Sequence, residues 1–222
     1  MSSFIRILSH TLLCAYLAIS TSLANAQTAP ATTGSDSAPT ILVLGDSLSA
    51  EYGIARGTGW VKLLEKRLQD EKLNFRVANA SISGDTTSGG VSRTPAALAR
   101  YKPDIVILQL GANDALRGLS LSVAKKNLGA MLDAARDAGA RPLIIGMQMP
   151  PNFGRVYTDQ FRQMFADVAK GAKAPLLPFF FEGFALDQQY FQDDGIHPNE
   201  AAQAKLLDNL WPVLKPMMAS GK

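Results

Sequence analysis

Histidine is scarce in this chain. Only His10 and His197 carry an imidazole, and His10 falls in an N-terminal stretch that reads as a removable leader. His197 stands in Asp194-Gly195-Ile196-His197-Pro198. An imidazole there can act as a general base if a carboxylate steadies one ring nitrogen and a nucleophile meets the other. Asp194, three residues earlier on the same loop, can supply the carboxylate. The competing reading is a helix-entry residue, with Pro198 at the first helical position and His197 in the cap region. Ser47, in Gly45-Asp46-Ser47-Leu48, can supply the nucleophile. It follows an apolar run, residues 41–44. That order sets the hydroxyl at the top of a sheet beside a helix N-terminus, where the positive dipole end favours a developing oxyanion. A serine at such a turn also serves as an ordinary helix cap.

The elements that must position these groups alternate in kind. Residues 41–44, 75–80, 105–110, 142–147 and 174–180 are strand-like. Between them, Trp60, Leu63, Leu64, Arg67 and Leu68 share one helical face, and Val123, Leu128, Met131, Leu132 and Ala135 share another. Residues 157–172 and 200–218 are further helices, the last kinked or broken at Pro212. This alternation predicts βαβ units and a parallel sheet, and continuous apolar strands agree with a sheet covered on both faces. Ligands then sit outside the carboxyl ends of the strands. Asp46 and Ser47 fall there, as do Ser83, Gly84 and Asp85, then Asn113 and Asp114, then Asp193, Asp194 and His197.

Taken together, Gly45-Asp46-Ser47-Leu48, Gly84, Gly111-Ala112-Asn113-Asp114 and Asp194-x-x-His197 resemble the four blocks of the GDSL, or SGNH, hydrolases, in the right order. The resemblance runs from about Thr40 to about Met218. Residues 79–86 and 192–199 look particularly like the family's bacterial periplasmic multifunctional esterases, which act on thioesters, lysophospholipids and aryl esters. It implies a three-layer α/β/α, flavodoxin-like fold with a five-stranded parallel sheet. It also implies a Ser47–His197–Asp194 triad, and an oxyanion hole from the backbone N–H groups of Ser47 and Gly84 with the side-chain amide of Asn113. No cofactor or metal is implied. Asp46, Asp85 and Asp114 read as turn and loop organisers.

Other chemistries fit less well. A metal hydrolase would need more than scattered acids and one histidine. A non-catalytic flavodoxin-like binding module would carry a glycine-rich phosphate loop. Here Gly57-Thr58-Gly59 leads to Lys62 where the next glycine belongs, and no Walker A pattern exists. An α/β-hydrolase would show Gly-x-Ser-x-Gly, but Ser49 stands where the second glycine should be. A carbohydrate O-acetyl esterase on the same scaffold is the alternative within the family.

Residues 1–26 read as a secretory signal peptide. Arg6 gives the positive start, residues 7–23 a short apolar stretch, and Ala24-Asn25-Ala26 the cleavage site. Residues 27–39 are a flexible lead-in, 40–218 one hydrolase domain and 219–222 a tail. The single cysteine, Cys14, leaves with the signal, so no disulfide framework is expected. The formal net charge is +3, with charges of both signs interspersed, which gives no nucleic-acid stripe and no polybasic membrane patch. The expected protein is a periplasmic or secreted monomer, not inserted in a membrane after cleavage, acting on a small acyl ester or thioester. Leu48, Met149, Phe153, Tyr157 and Phe181 are expected to contact substrate, with residues 148–156 as a specificity loop at the active edge.

Overall fold

The computed structural model describes residues 38–219. The expected signal peptide, most of the lead-in over 27–39 and most of the tail over 219–222 lie outside the described residues. Five strands form one parallel sheet: β1 (Thr40–Gly45), β2 (Arg76–Asn79), β3 (Ile105–Gln109), β4 (Arg141–Ile145) and β5 (Leu176–Leu177). Their order is β2-β1-β3-β4-β5, and every pair is parallel. The sheet reverses its winding between β1 and β3, and the loops that follow those two strands therefore diverge and leave a crevice. The helices are α1 (Trp60–Asp70), α2 (Thr87–Tyr101), α3 (Ala112–Leu116), α4 (Leu121–Asp137), α5 (Arg155–Ala172) and α6 (Glu200–Ala219). Helices α1 and α6 pack together, and α2, α4 and α5 form the second helical layer. The expected α/β/α architecture is the one observed.

The core follows from the strand composition. Ile41, Leu42, Val43, Ile105, Ile107, Leu143, Ile144 and Ile145 are completely shielded. Each such side chain contributes about 1.5–3 kcal/mol by leaving water. Helices supply the other half, with Trp60, Leu64 and Leu68 from α1 and Leu128, Met131, Leu132 and Ala135 from α4. Val123, expected on the buried face of α4, is instead 54% exposed, and Ala124 takes the inward position.

Two further expectations are corrected, and one helix was not expected. The fifth strand, expected over 174–180, is only Leu176–Leu177. Pro175 and Pro178 bracket it, and neither has an N–H to extend a ladder. Helix α2 was hidden in the sequence by Gly89, Gly90 and Pro95. Gly90 leaves room there: a Cβ on it would meet Leu110 Cδ1 at 2.5 Å and Met131 Sδ at 2.8 Å, so those side chains would have to shift for α2 to lie this close to α4. Helix α6 runs unbroken past both Pro212 and Pro216. Proline inside a helix costs ~3 kcal/mol, and buried Leu206, Leu207, Leu210, Leu214 and Met217 offset that cost by holding the helix to the core.

Candidate active site

Every sheet-edge residue named above lies on a segment leaving a strand's carboxyl end or on the loop before α6. Ser47 follows β1. The residues behind it form successive turns rather than a regular helix: Ser49 N and Ala50 N donate to Asp46 O, and Tyr52 N donates to Ser47 O. The expected helix N-terminus is thus a string of turns, and the groups facing the site are individual N–H donors.

His197 comes from the loop before α6. That loop is fastened by Gln192 N donating to His197 O at 2.8 Å and by Gln192 Nε2 donating to Tyr52 O at 2.9 Å. Helix α6 begins at Glu200, and Asn199 Oδ1 accepts from Ala201 N at 3.0 Å, so the cap role belongs to Asn199 and His197 is free of it. The imidazole lies between two partners. Its Nε2 is 3.0 Å from Ser47 Oγ, and its Nδ1 is 2.6 Å from Asp194 Oδ2. The other carboxylate oxygen of Asp194 accepts from Ile196 N at 2.8 Å and His197 N at 2.9 Å. Desolvation raises the Asp194 pKa, but the His197 and Ile196 N–H groups and the His197 ring outweigh it and hold the carboxyl below its usual value. A carboxylate at Nδ1 keeps the proton on that nitrogen and leaves Nε2 as an acceptor facing the hydroxyl.

Two backbone donors at this edge have nothing to donate to. Among the described residues, no protein acceptor takes the backbone N–H of Ser47 or of Gly84. Gly84 has φ +76, which a glycine adopts without strain, and its carbonyl accepts from Arg117 Nη2 at 2.7 Å. Asn113, on α3, is brought to the same edge. Its Nδ2 donates to Asp85 O at 2.9 Å and, at a longer 3.3 Å, to Asp46 Oδ2.

The acids of this edge organise it. Asp46 is 1% exposed, and its Oδ1 accepts from Leu48 N at 3.1 Å and Gln109 Nε2 at 2.9 Å. Burial pushes its carboxyl up to about 6 against the pull of those hydrogen bonds. Asp114 receives Thr87 N at 2.8 Å and Thr87 Oγ1 at 2.6 Å, tying α3 to the first turn of α2. Asp85 pairs with Arg93 Nε at 2.7 Å.

Two supporting residues escape a reading of the sequence. Gln109 ends β3 inside the core and accepts from Ser49 Oγ at 2.6 Å while donating to Asp46. Its signal was a polar residue closing an apolar strand, since a buried amide must find partners. Arg93 sits mid-helix on α2, yet its guanidinium donates to Gly45 O at 3.0 Å and also to Ala80 O, joining the ends of β1 and β2 to Asp85. Nothing in its sequence neighbourhood marks that role.

The expected substrate contacts separate. Leu48 lines a depression beside Ser47 and His197. Phe153 is 38% exposed and stacks on Tyr157, whose hydroxyl donates to Ala115 O at 3.0 Å. Met149 is buried at 8% exposure, and Phe181 is packed among Phe179, Phe180, Phe184 and Phe191. These two belong to the hydrophobic core rather than to the open edge.

Ester-bond hydrolases are built this way, and this chain is one. It belongs to the GDSL-like lipase/acylhydrolase family, whose pattern matches residues 43–205. It is 50% identical over 181 residues to esterase TesA of Pseudomonas aeruginosa, covering 82% of this chain and 90% of that protein. It is 41% identical over 181 residues to the Escherichia coli protein named thioesterase 1/protease 1/lysophospholipase L1, covering 82% of this chain and 86% of that one. The crystal structure of the psychrotrophic esterase EstA from Pseudoalteromonas, inhibited by monoethylphosphonate, matches with a TM-score of 0.78 at 36% identity, over 82% of this chain and 99% of EstA.

Proposed function

We propose that this chain is an exported monomeric esterase and thioesterase that works through an acyl-enzyme on Ser47. The observation that carries this reading is the line Ser47 Oγ–His197–Asp194, with contacts of 3.0 and 2.6 Å. His197 Nε2 takes the hydroxyl proton as Oγ attacks the acyl carbon. Asp194 holds the ring and stabilises the imidazolium without taking the proton itself. The carbonyl oxygen becomes an oxyanion facing the N–H groups of Ser47 and Gly84, with Asn113 Nδ2 as third donor. Collapse expels the alcohol or thiol with the proton from His197. Water, activated by the same imidazole, then releases the acid. No step draws on a metal or an organic cofactor.

The substrate class follows from the relatives' names, which include esterase, thioesterase and lysophospholipase. Phe153 and Tyr157, stacked on the segment after β4, give an apolar surface for the acyl half. Among the described residues no helix is long and apolar enough to cross a membrane. A cleaved leader over 1–26 then delivers the domain to the periplasm or beyond. The test is covalent capture: an organophosphonate should add one adduct, on the peptide holding Ser47, and Ser47→Ala should abolish it. Labelling that persists in Ser47→Ala rejects the assignment.

A further inference from the structure

The triad leaves one part of its surroundings unused. On the His197 side of Ser47 lies a shallow, narrow depression lined by Ser47, Leu48, Tyr52, Ile54, His197 and Pro198. Tyr52 is 50% exposed, and its ring lies 4.5 Å from the His197 ring, centroid to centroid, at 43°. No hydrogen bond engages its hydroxyl among the described residues, so its role here falls to the ring. Its main chain is pinned by Gln192 Nε2 on its carbonyl. An aromatic residue so held, half open to solvent and beside the general base, presents an apolar face to whatever approaches the imidazole.

Direction decides what that is. The three oxyanion donors approach Ser47 from β1, β2 and β3, so the carbonyl oxygen must point to them. The leaving atom must lie within reach of His197 Nε2, since that nitrogen returns the proton. The acyl chain takes the remaining direction, away from both. We propose that the Tyr52–His197 depression is the leaving-group subsite, with Tyr52, Leu48 and Ile54 selecting an apolar, preferably aryl, leaving group. The proposal rests on the roles given above to Ser47 and His197. As the tetrahedral adduct collapses, the carbon–oxygen bond breaks and its electron pair stays on the leaving oxygen. That oxygen takes the proton from Nε2, and the aryl ring rests on Tyr52 until the neutral alcohol departs. Glu51 stands at the same depression, its carboxylate held by Gly57 N and Gly59 N, and its charge disfavours an anionic leaving group.

Two butyrate esters, phenyl and methyl, test this, because they share one acyl-enzyme and differ only in what leaves. Tyr52→Ala should lower kcat/KM for the aryl ester by about tenfold, the scale of one aromatic contact. The methyl ester should fall by less than about twofold, on the same scale. The deacylation rate, read from single-turnover release of butyrate, should hold, since the leaving group has gone by then. Tyr52→Phe should keep the wild-type ratio. An equal loss on both esters together with slowed deacylation overturns the proposal, for a ring that merely held His197 would act on every step. Unchanged kinetics in Tyr52→Ala overturn it also. Failure of an organophosphonate to label Ser47 in the unmodified protein overturns the underlying reading of the nucleophile, and is seen separately from the ester ratio.

Discussion

The side-chain amide of Asn113 has both of its hydrogens engaged, one firmly by Asp85 O at 2.9 Å and one loosely by Asp46 Oδ2 at 3.3 Å. In the proposed mechanism the loose contact is the one that an incoming oxyanion replaces. Asp46 thereby orients a donor that it does not bind tightly.

That geometry makes the first prediction. Asn113→Ala should lower kcat by roughly 10²–10³ with little change in KM, because the bond strengthens only as the oxyanion forms. Organophosphonate should still label Ser47, whose base is intact. Asp46→Asn should act through the same amide. Its oxygen must stay with Leu48 N and Gln109 Nε2, so its new NH₂ faces Asn113 Nδ2, donor against donor. A kcat loss of about tenfold or more is expected. Steady-state kinetics with normal kcat in a folded Asn113→Ala protein would refute the role.

Asp194→Asn keeps the shape and loses the charge. The side-chain oxygen can still accept from Ile196 N and His197 N, which leaves NH₂ toward His197 Nδ1. The ring must then place its proton on Nε2, facing Ser47, where it cannot accept. A fall in kcat of about 10³–10⁴ is expected, by analogy with other triads. Histidine NMR of the variant should show the tautomer exchanged. Activity within about tenfold of the unmodified protein would remove Asp194 from the triad.

Stability should depend on pH in a way that isolates Asp46. Burial raises its folded pKa from 3.8 to about 6, so between those values the native state holds a proton that the unfolded chain releases. Its contribution is full below pH 3.8 and is lost as pH rises through about 6. Asp194 runs the other way, since its folded pKa is depressed and its contribution is lost as pH falls. Comparison with Asp46→Asn cancels the Asp194 part. From pH 4 to 7.5 the unmodified protein should lose up to ~3 kcal/mol relative to that variant, measured by denaturant unfolding at each pH. A difference independent of pH would show that Asp46 is not raised.

Export is tested directly. Protein recovered from the periplasm or medium should begin at or near Gln27 by N-terminal sequencing. A cytoplasmic product that keeps Met1 would contradict the leader assignment.

Much of this molecule is written locally. The strands are apolar runs that can only be buried, and runs alternating with helical periods force a parallel sheet and put Ser47, Gly84, Asn113 and His197 on its carboxyl edge. Types and spacing put Asp194 forward for His197, because three residues along one loop is a distance that the chain itself closes, and the family pattern favoured it over adjacent Asp193. What the sequence could not decide was set by contacts between distant segments. Helix α2 carries residues that break helices, and it stands because Gly90 fits against Leu110 and Met131 and because Asp114 receives its first turn. Arg93 matters through Gly45 and Ala80, separated from it by 48 and 13 residues. Phe181 and Phe153 are the same residue type on two loops, and only packing sends one into the core and leaves the other at the edge. The distance from Ser47 to His197 spans 150 residues of chain, and no propensity encodes it. It exists because the sheet, α1 and α6 are rigid and close-packed enough to bring two loops to within one hydrogen bond.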